Sequence, residues 1–187
     1  MNTQILLCGV GGQGILFATR ILSEAAVRLG HRVIGSETHG MSQRGGSVTS
    51  HMKVGDYHGP LIRRGDADLL FCFERNEIFA NLTFLKSGGI GYVDAPDLDF
   101  IPDNIRALLD ARQIELRCMD ASSLALKLNA PLVLNLILIG FASNHEDFPL
   151  KRDLLQDVIT DISPQRFRDL NLKGFRVGLE HKLDVEI

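Results

Sequence analysis

The spacing of apolar and polar positions changes several times along this chain, and each change marks an element. Gln4 to Cys8 is mostly apolar, glycines crowd Gly9 to Gly14, and Ile15, Ala18, Leu22, Ala25, Ala26 and Leu29 then recur at helical spacing up to Gly30. The pattern predicts a strand, a tight turn and a helix closed by a left-handed glycine cap. Arg32 to Ser36 reads as a second strand, which makes the first unit βαβ. Past the glycine-rich segment Gly40 to Gly46 the period becomes two, with Val48, Ser50, Met52 and Val54 on one face and Ser47, Thr49, His51 and Lys53 on the other. This predicts a half-buried strand, and Gly55-Asp56 leading into Tyr57 to Ile62 predicts its antiparallel hairpin partner.

Leu69 to Phe73 is a continuous apolar run, as expected of a central parallel strand covered on both faces. Helical spacing follows over Glu77 to Leu85, and further strands are expected at Ile90 to Val93 and Glu115 to Met119. Asp120 is placed to cap a helix over Ala121 to Asn129. Pro131 suits a helix's first turn, and Leu132 to Ser143 is apolar on almost every side, so Asn135 within it needs a buried partner. Helices over Lys151 to Asp161 and Pro164 to Lys182 complete the pattern. No repeat or linker interrupts it. The expected fold is one domain over residues 1–187, a three-layer Rossmann-like α/β architecture whose mostly parallel sheet carries an added antiparallel hairpin.

Composition narrows the function. With 187 residues, 45% of them hydrophobic, the chain can bury one sizeable core. A net charge of -3 and a pI near 6.1 give no cationic footprint for nucleic acid. The longest apolar run, Leu132 to Ala142, is well short of the ~20 residues that span a bilayer, and the N-terminus lacks a signal-peptide pattern. A soluble cytoplasmic protein without membrane or nucleic-acid partners is expected. Cys8, Cys72 and Cys118 are isolated, so the chain supplies neither the four thiolates of an iron-sulfur cluster nor a structural zinc site. Any electrons must be held by another chain.

Two constellations carry polar chemistry. Gly9, Gly11 and Gly14 follow a strand and open a helix, where turn amides and the helix N-terminus can hold a phosphate or carboxylate. Gly12 and Gln13 complete this turn, and Gln13 adds a side-chain amide. Glu37, roughly 20 residues on, sits where a ribose-binding acid lies in a dinucleotide site. The glycines also suit close packing of helix on sheet with no ligand at all. The second constellation, Glu37 to Gly46, sets an acid, the His39 imidazole, the Ser42 hydroxyl, the Gln43 amide and the Arg44 guanidinium among Gly40, Gly45 and Gly46. Arg44 can bind a carboxylate or phosphate bidentately, or brace the loop through Glu37. Both constellations should lie at the carboxyl edge of the sheet and form one site. His39, His51 and His58 lack metal-ligand spacing, and Asp66, Asp68, Glu74 and Glu77 read as strand-edge and cap charges. No metal site and no self-sufficient catalytic group is expected.

The run Gly9-Val10-Gly11-Gly12-Gln13-Gly14, the loop His39-Gly40-Met41-Ser42-Gln43-Arg44-Gly45-Gly46-Ser47-Val48, Asn135 and the late Asn171-Leu172-Lys173-Gly174-Phe175 together resemble the gamma-type subunit of 2-oxoacid:ferredoxin oxidoreductases. The resemblance spans nearly the whole chain, and the form of the loop looks most like the beta subunit of indolepyruvate ferredoxin oxidoreductase. A departure is Gly174, where the family usually has alanine. The resemblance implies oxidative decarboxylation of an aryl or branched 2-oxoacid to an acyl-CoA. Thiamine diphosphate and iron-sulfur clusters are then expected on the partner subunit, with electrons leaving through the complex to ferredoxin. This chain would bind no cofactor alone, be inactive without the partner, and help shape a shared site for substrate or CoA. The residues by themselves also admit a self-contained NAD-dependent oxidoreductase, or a non-catalytic binding module of the same fold.

Overall fold

A computed structural model describes residues 1–39 and 45–181. Six strands, β1 (Thr3–Val10), β2 (Val33–His39), β3 (Ser47–Val54), β4 (Ala67–Cys72), β5 (Leu85–Asp94) and β6 (Glu115–Met119), form one sheet in the order β2-β3-β1-β4-β5-β6. The β1/β4, β4/β5 and β5/β6 pairs are parallel, whereas β3 runs antiparallel to both β1 and β2. Helices α1 (Ile15–Arg28), α5 (Leu134–Ser143), α6 (Arg152–Ile162) and α7 (Arg168–Glu180) share a core with Ile5, Leu7 and Phe71 on one face of the sheet. Leu6, Cys8, Leu70 and Cys72 pack on the other face beneath α2 (Ile78–Asn81) and α3 (Asp103–Ala111). The short α4 (Ala121–Lys127) follows β6. This is the expected three-layer α/β fold.

The local signals act as the residues require. Gly30, at φ 81°, stops α1. Its amide donates to Val27 and that of His31 to Ala26, which satisfies two otherwise orphaned carbonyls of the last turn. The Asp120 carboxylate accepts the Ser123 amide at 3.0 Å and starts α4. Pro131 opens a single 3-10 turn that leads into α5. Helices α5 and α7 cross with their backbones almost touching, because a Cβ added at Gly140 would lie 2.2 Å from the Phe175 carbonyl oxygen, and one at Gly178 2.0 Å from that of Ile137. Gly174 belongs to the same contact. A Cβ there would sit 2.9 Å from Val133 Cβ, so glycine rather than alanine fits this neighbour.

Three expectations are corrected. The hairpin partner of β3 is β2, not Tyr57 to Ile62, which forms no strand; Pro60 lacks the amide a ladder needs. That segment instead covers the polar face of β3, where His51 Nδ1 accepts the Ile62 amide at 3.1 Å and Lys53 Nζ lies 5.2 Å from the Tyr57 ring centre. The strand is consequently buried on both faces rather than one. Glu77 to Leu85 is broken into 3-10 turns around the four-residue α2. Finally, α3 lies where no helix was expected, since Leu109 is its single buried residue and the apolar stripe is too narrow to stand out.

Burial and the charge of Lys53 hold the His51 imidazole below its ordinary pKa. The unfolded chain then binds the proton more readily, so stability is full above about pH 6.5 and falls as pH drops from there toward the depressed folded value. Thermal melts between pH 7.5 and 5 should show this fall. His51→Gln, which keeps an acceptor but cannot titrate, should flatten the slope without abolishing it, because His145 is depressed by burial in the same direction.

Candidate functional site

The carboxyl ends of β1 and β4 are where the connections diverge to opposite faces of the sheet, which is where open α/β sheets place ligands. The glycine turn sits there. Gly12 and Gly14 adopt φ values of 105° and 74° that other residues rarely take. Gln13 closes the turn from within: its Oε1 accepts the Val10 amide at 2.8 Å, and its Nε2 donates to Glu74 Oε2 at 3.4 Å. The Gln13 side chain therefore shapes the turn and does not project as a free ligand group. The Gln13 amide donates to the Val10 carbonyl and the Gly11 amide to the Gly46 carbonyl at 2.9 Å. These bonds leave the amides of Gly12 and Gly14 without an acceptor among the described residues.

The Gly11–Gly46 bond joins the two sequence constellations. Gly45, at φ 79°, and Gly46 lie against the turn, and the His39 backbone pairs with Val48 as the last rung of β2 and β3. Gly40, Ser42, Gln43 and Arg44 lie outside the described residues. Glu37 is exposed on the edge strand β2 and lines a groove of about 560 Å³ with Arg20, Ser36 and Ser50 beside α1. It is not next to the turn, because β3 stands between β1 and β2 and sets it about 10 Å aside at two strand spacings. In a dinucleotide fold the acid-bearing strand is the direct neighbour of β1. That geometry is missing here, and it removes the main support for the NAD reading.

The acids of this edge are engaged by the protein itself. Ser47 Oγ donates to Glu77 Oε2 at 2.7 Å, tying β3 to the segment after β4. Asp94, which the sequence reading did not single out, is buried at the end of β5 and accepts the Ser122 amide at 3.0 Å and its hydroxyl. Burial raises its pKa, with the Ser122 bonds opposing the shift. An acid closing the apolar run Ile90 to Val93 was the available signal. Cys8 and Cys72 are in-register neighbours at the same end of β1 and β4, and their contact together with burial pushes the Cys8 thiol up. Neutral buried thiols are poor cluster ligands. No group of three or more His, Cys, Asp or Glu among the described residues is arranged to hold a metal, and no helix among them is long and apolar enough to cross a membrane.

Asn135 supplies the buried link to the core. Its Nδ2 donates to the Gly14 carbonyl at 2.8 Å and its Oδ1 accepts the Leu136 amide at 2.8 Å, so the one buried polar side chain of α5 is satisfied at both ends. A Cβ on Gly14 would fall 2.4 Å from that same Nδ2. Gly14→Ala and Asn135→Ala should each destabilise the chain by about 1–3 kcal/mol, through strain in one case and a lost buried hydrogen bond in the other. The double variant should lose less than the sum, because the truncated Asn135 makes room for the new methyl. Urea denaturation of the four proteins measures this coupling.

Comparison with known proteins places these features in context. A model of the pyruvate ferredoxin/flavodoxin oxidoreductase family matches residues 4–181. The indolepyruvate oxidoreductase subunit IorB of Methanothermobacter thermautotrophicus is 35% identical over 95% of this chain and 96% of its own length. Among solved structures, the gamma subunit of a keto/oxoacid ferredoxin oxidoreductase from Geobacter sulfurreducens shares the fold, with a TM-score of 0.75 at 22% identity over 95% of this chain and 96% of that one. So does the 2-oxoglutarate:ferredoxin oxidoreductase of Magnetococcus marinus, solved with 2-oxoglutarate, coenzyme A and succinyl-CoA bound. Its TM-score is also 0.75 at 22% identity, and the match covers 95% of this chain but 30% of that longer one.

Proposed function

Because this chain belongs to the pyruvate ferredoxin/flavodoxin oxidoreductase family, we propose that it is the small gamma-type subunit, a single domain over residues 1–187, of a cytoplasmic 2-oxoacid:ferredoxin oxidoreductase. Its substrate is indolepyruvate or a related aryl or branched 2-oxoacid, which becomes an acyl-CoA. The observation that carries this reading is the bond between Gly11 and Gly46, which sets the glycine turn against the segment that leads into β3 at one edge of the sheet. A relative named as an indolepyruvate oxidoreductase subunit, 35% identical over 96% of its length, supports the substrate class.

The residues present do not fit a resident iron-sulfur cluster. Three cysteines, two of them buried together on neighbouring strands, are not a cluster's four thiolates. Thiamine diphosphate and iron-sulfur clusters, on the partner subunit, supply the decarboxylation chemistry and the route for electrons to ferredoxin. This chain's contribution is binding and positioning. The edge acids Glu74, Glu77 and Asp94 are already held by Gln13, Ser47 and Ser122. What remains for an anion such as the phosphates of CoA is the pair of turn amides at Gly12 and Gly14, with Arg44, Ser42, Gln43 and His39 from the adjoining loop. The longer Magnetococcus marinus enzyme that shares this fold was solved with coenzyme A bound, which supports CoA as the class of ligand.

Reconstitution tests the proposal. The purified chain should be colourless, free of iron and inactive toward 2-oxoacids, and mixing it with the thiamine- and cluster-bearing subunit should restore CoA-dependent ferredoxin reduction. Micromolar NAD binding that Glu37→Ala abolishes would instead support a dehydrogenase, and partner activity indifferent to this chain would leave a binding module. In the assembled enzyme, Arg44→Ala should lower kcat/KM for CoA by about 10- to 150-fold, the equivalent of one charge-assisted hydrogen bond. The melting temperature of the free chain should not change. If Arg44 braces the loop through Glu37, that temperature falls and Glu37→Ala reproduces the defect.

A further inference from the structure

Strand β2 ends the sheet with β3 on one side and no strand on the other. The Gly55 amide donates to the Arg32 carbonyl at 2.8 Å. Antiparallel rungs alternate, so Ile34, Ser36 and Thr38 likewise turn their amides and carbonyls to β3, and Val33, Gly35 and Glu37 turn theirs outward. These outward groups have no partner among the described residues. Such an edge is usually blunted by lysine, proline or a bulge. Val33–His39 contains neither lysine nor proline, and its register against β3 runs unbroken. The opposite edge is guarded, since β6 carries Glu115 and Arg117, and Arg117 is held to Asp147 at 2.7 Å.

Charge and shape make this edge complementary to itself. Glu37, Gly35 and Arg20 line one groove between β2 and α1, and neither charge has an ion-pair partner among the described residues. Leu16, Arg20, Ser23 and Val27 form one stripe along that side of α1, with Leu16 and Val27 left exposed. Laid antiparallel on itself over its full length, Val33–His39 is centred on Ser36. Glu37 of each copy then stands ~5 Å from Gly35 of the other, on the face that α1 covers. Gly35 has no side chain to obstruct it, and Arg20 of that copy lies beyond. Sliding the pairing one way sets Glu37 opposite Val33, and the other way opposite a second Glu37, so charge selects this register. Because α1 packs over β3, its two copies would stand about 14 Å apart, three strand spacings, and would not collide.

We propose that two copies of this chain pair through antiparallel β2 strands about a two-fold axis at Ser36, with Glu37 of each copy bound to Arg20 of the other. The pairing belongs to this chain alone and stands apart from the subunit reading above. Sedimentation velocity of the full-length chain over a concentration series tests it. Wild type should form a dimer. Arg20→Glu and Glu37→Lys each set like charges together on both sides of the axis, and each should weaken the dimer about 10-fold or more while melting as the wild type. Mixing the two variants should restore it. In the mixed pair one contact keeps the native arginine and glutamate and the other joins the introduced lysine to the introduced glutamate, which no contact within a single chain can reproduce. A wild type that stays monomeric overturns the proposal. A dimer that both variants keep at full strength uses another face and overturns it too, as does a dimer that the variants weaken and their mixture fails to restore.

Discussion

The hydrogen bond from Asn135 to the Gly14 carbonyl decides how firmly the glycine turn is held. It works because the helix that carries Asn135 cannot shift. The backbones of α5 and α7 meet at Gly140 and Gly178 with no space for a methyl group, and residues Leu134 to Ala142 are buried throughout. In so dry a setting an amide without a partner is costly and one with a partner is strongly directed. The turn thereby inherits the rigidity of the core through a single side chain. The left-handed conformation of Gly14 and the entry angle of α1 follow from it.

The second constraint is electrostatic. Four carboxylates gather along the carboxyl edge, and a bare cluster of that kind would repel the anionic ligands that α/β sheets usually receive there. Each instead accepts a hydrogen bond from a neighbouring loop or helix start: Glu74 from Gln13, Glu77 from Ser47, Asp94 from Ser122 and Asp120 from Ser123. Glu74, Glu77 and Asp94 thus act as fasteners between separate segments, while Asp120 caps its own helix. On the β5 side the burial of Asp94 raises its pKa, with the Ser122 bonds opposing the shift.

Much of this was legible from residue patterns, because caps, turns and apolar runs are local. Gly30, Asp120 and Pro131 do what their chemistry requires within one turn of the chain. The insertion of β3 between β1 and β2 was not legible, since alternation tells which faces are covered and not which strand lies alongside. The partner of Asn135 lies 121 positions away, so the sequence could state the need for one and not its identity. At the site, the proximity of the two glycine segments followed from topology. The inward role of Gln13 and the displacement of Glu37 from the turn both depended on pairings that only the folded chain displays.

The ladder between β2 and β3 has a consequence for how such a protein diversifies. It is paired up to His39 and Val48, so the stretch after β2 enters and leaves through fixed ends. Closing a longer loop between fixed ends costs only ~0.6 kcal/mol more per doubling of its length. Its composition can therefore be rewritten while the sheet and the turn stay as they are. Such a stretch is an exchangeable cassette on an inherited chassis, open to transplantation between relatives without disturbing the frame that holds its ends.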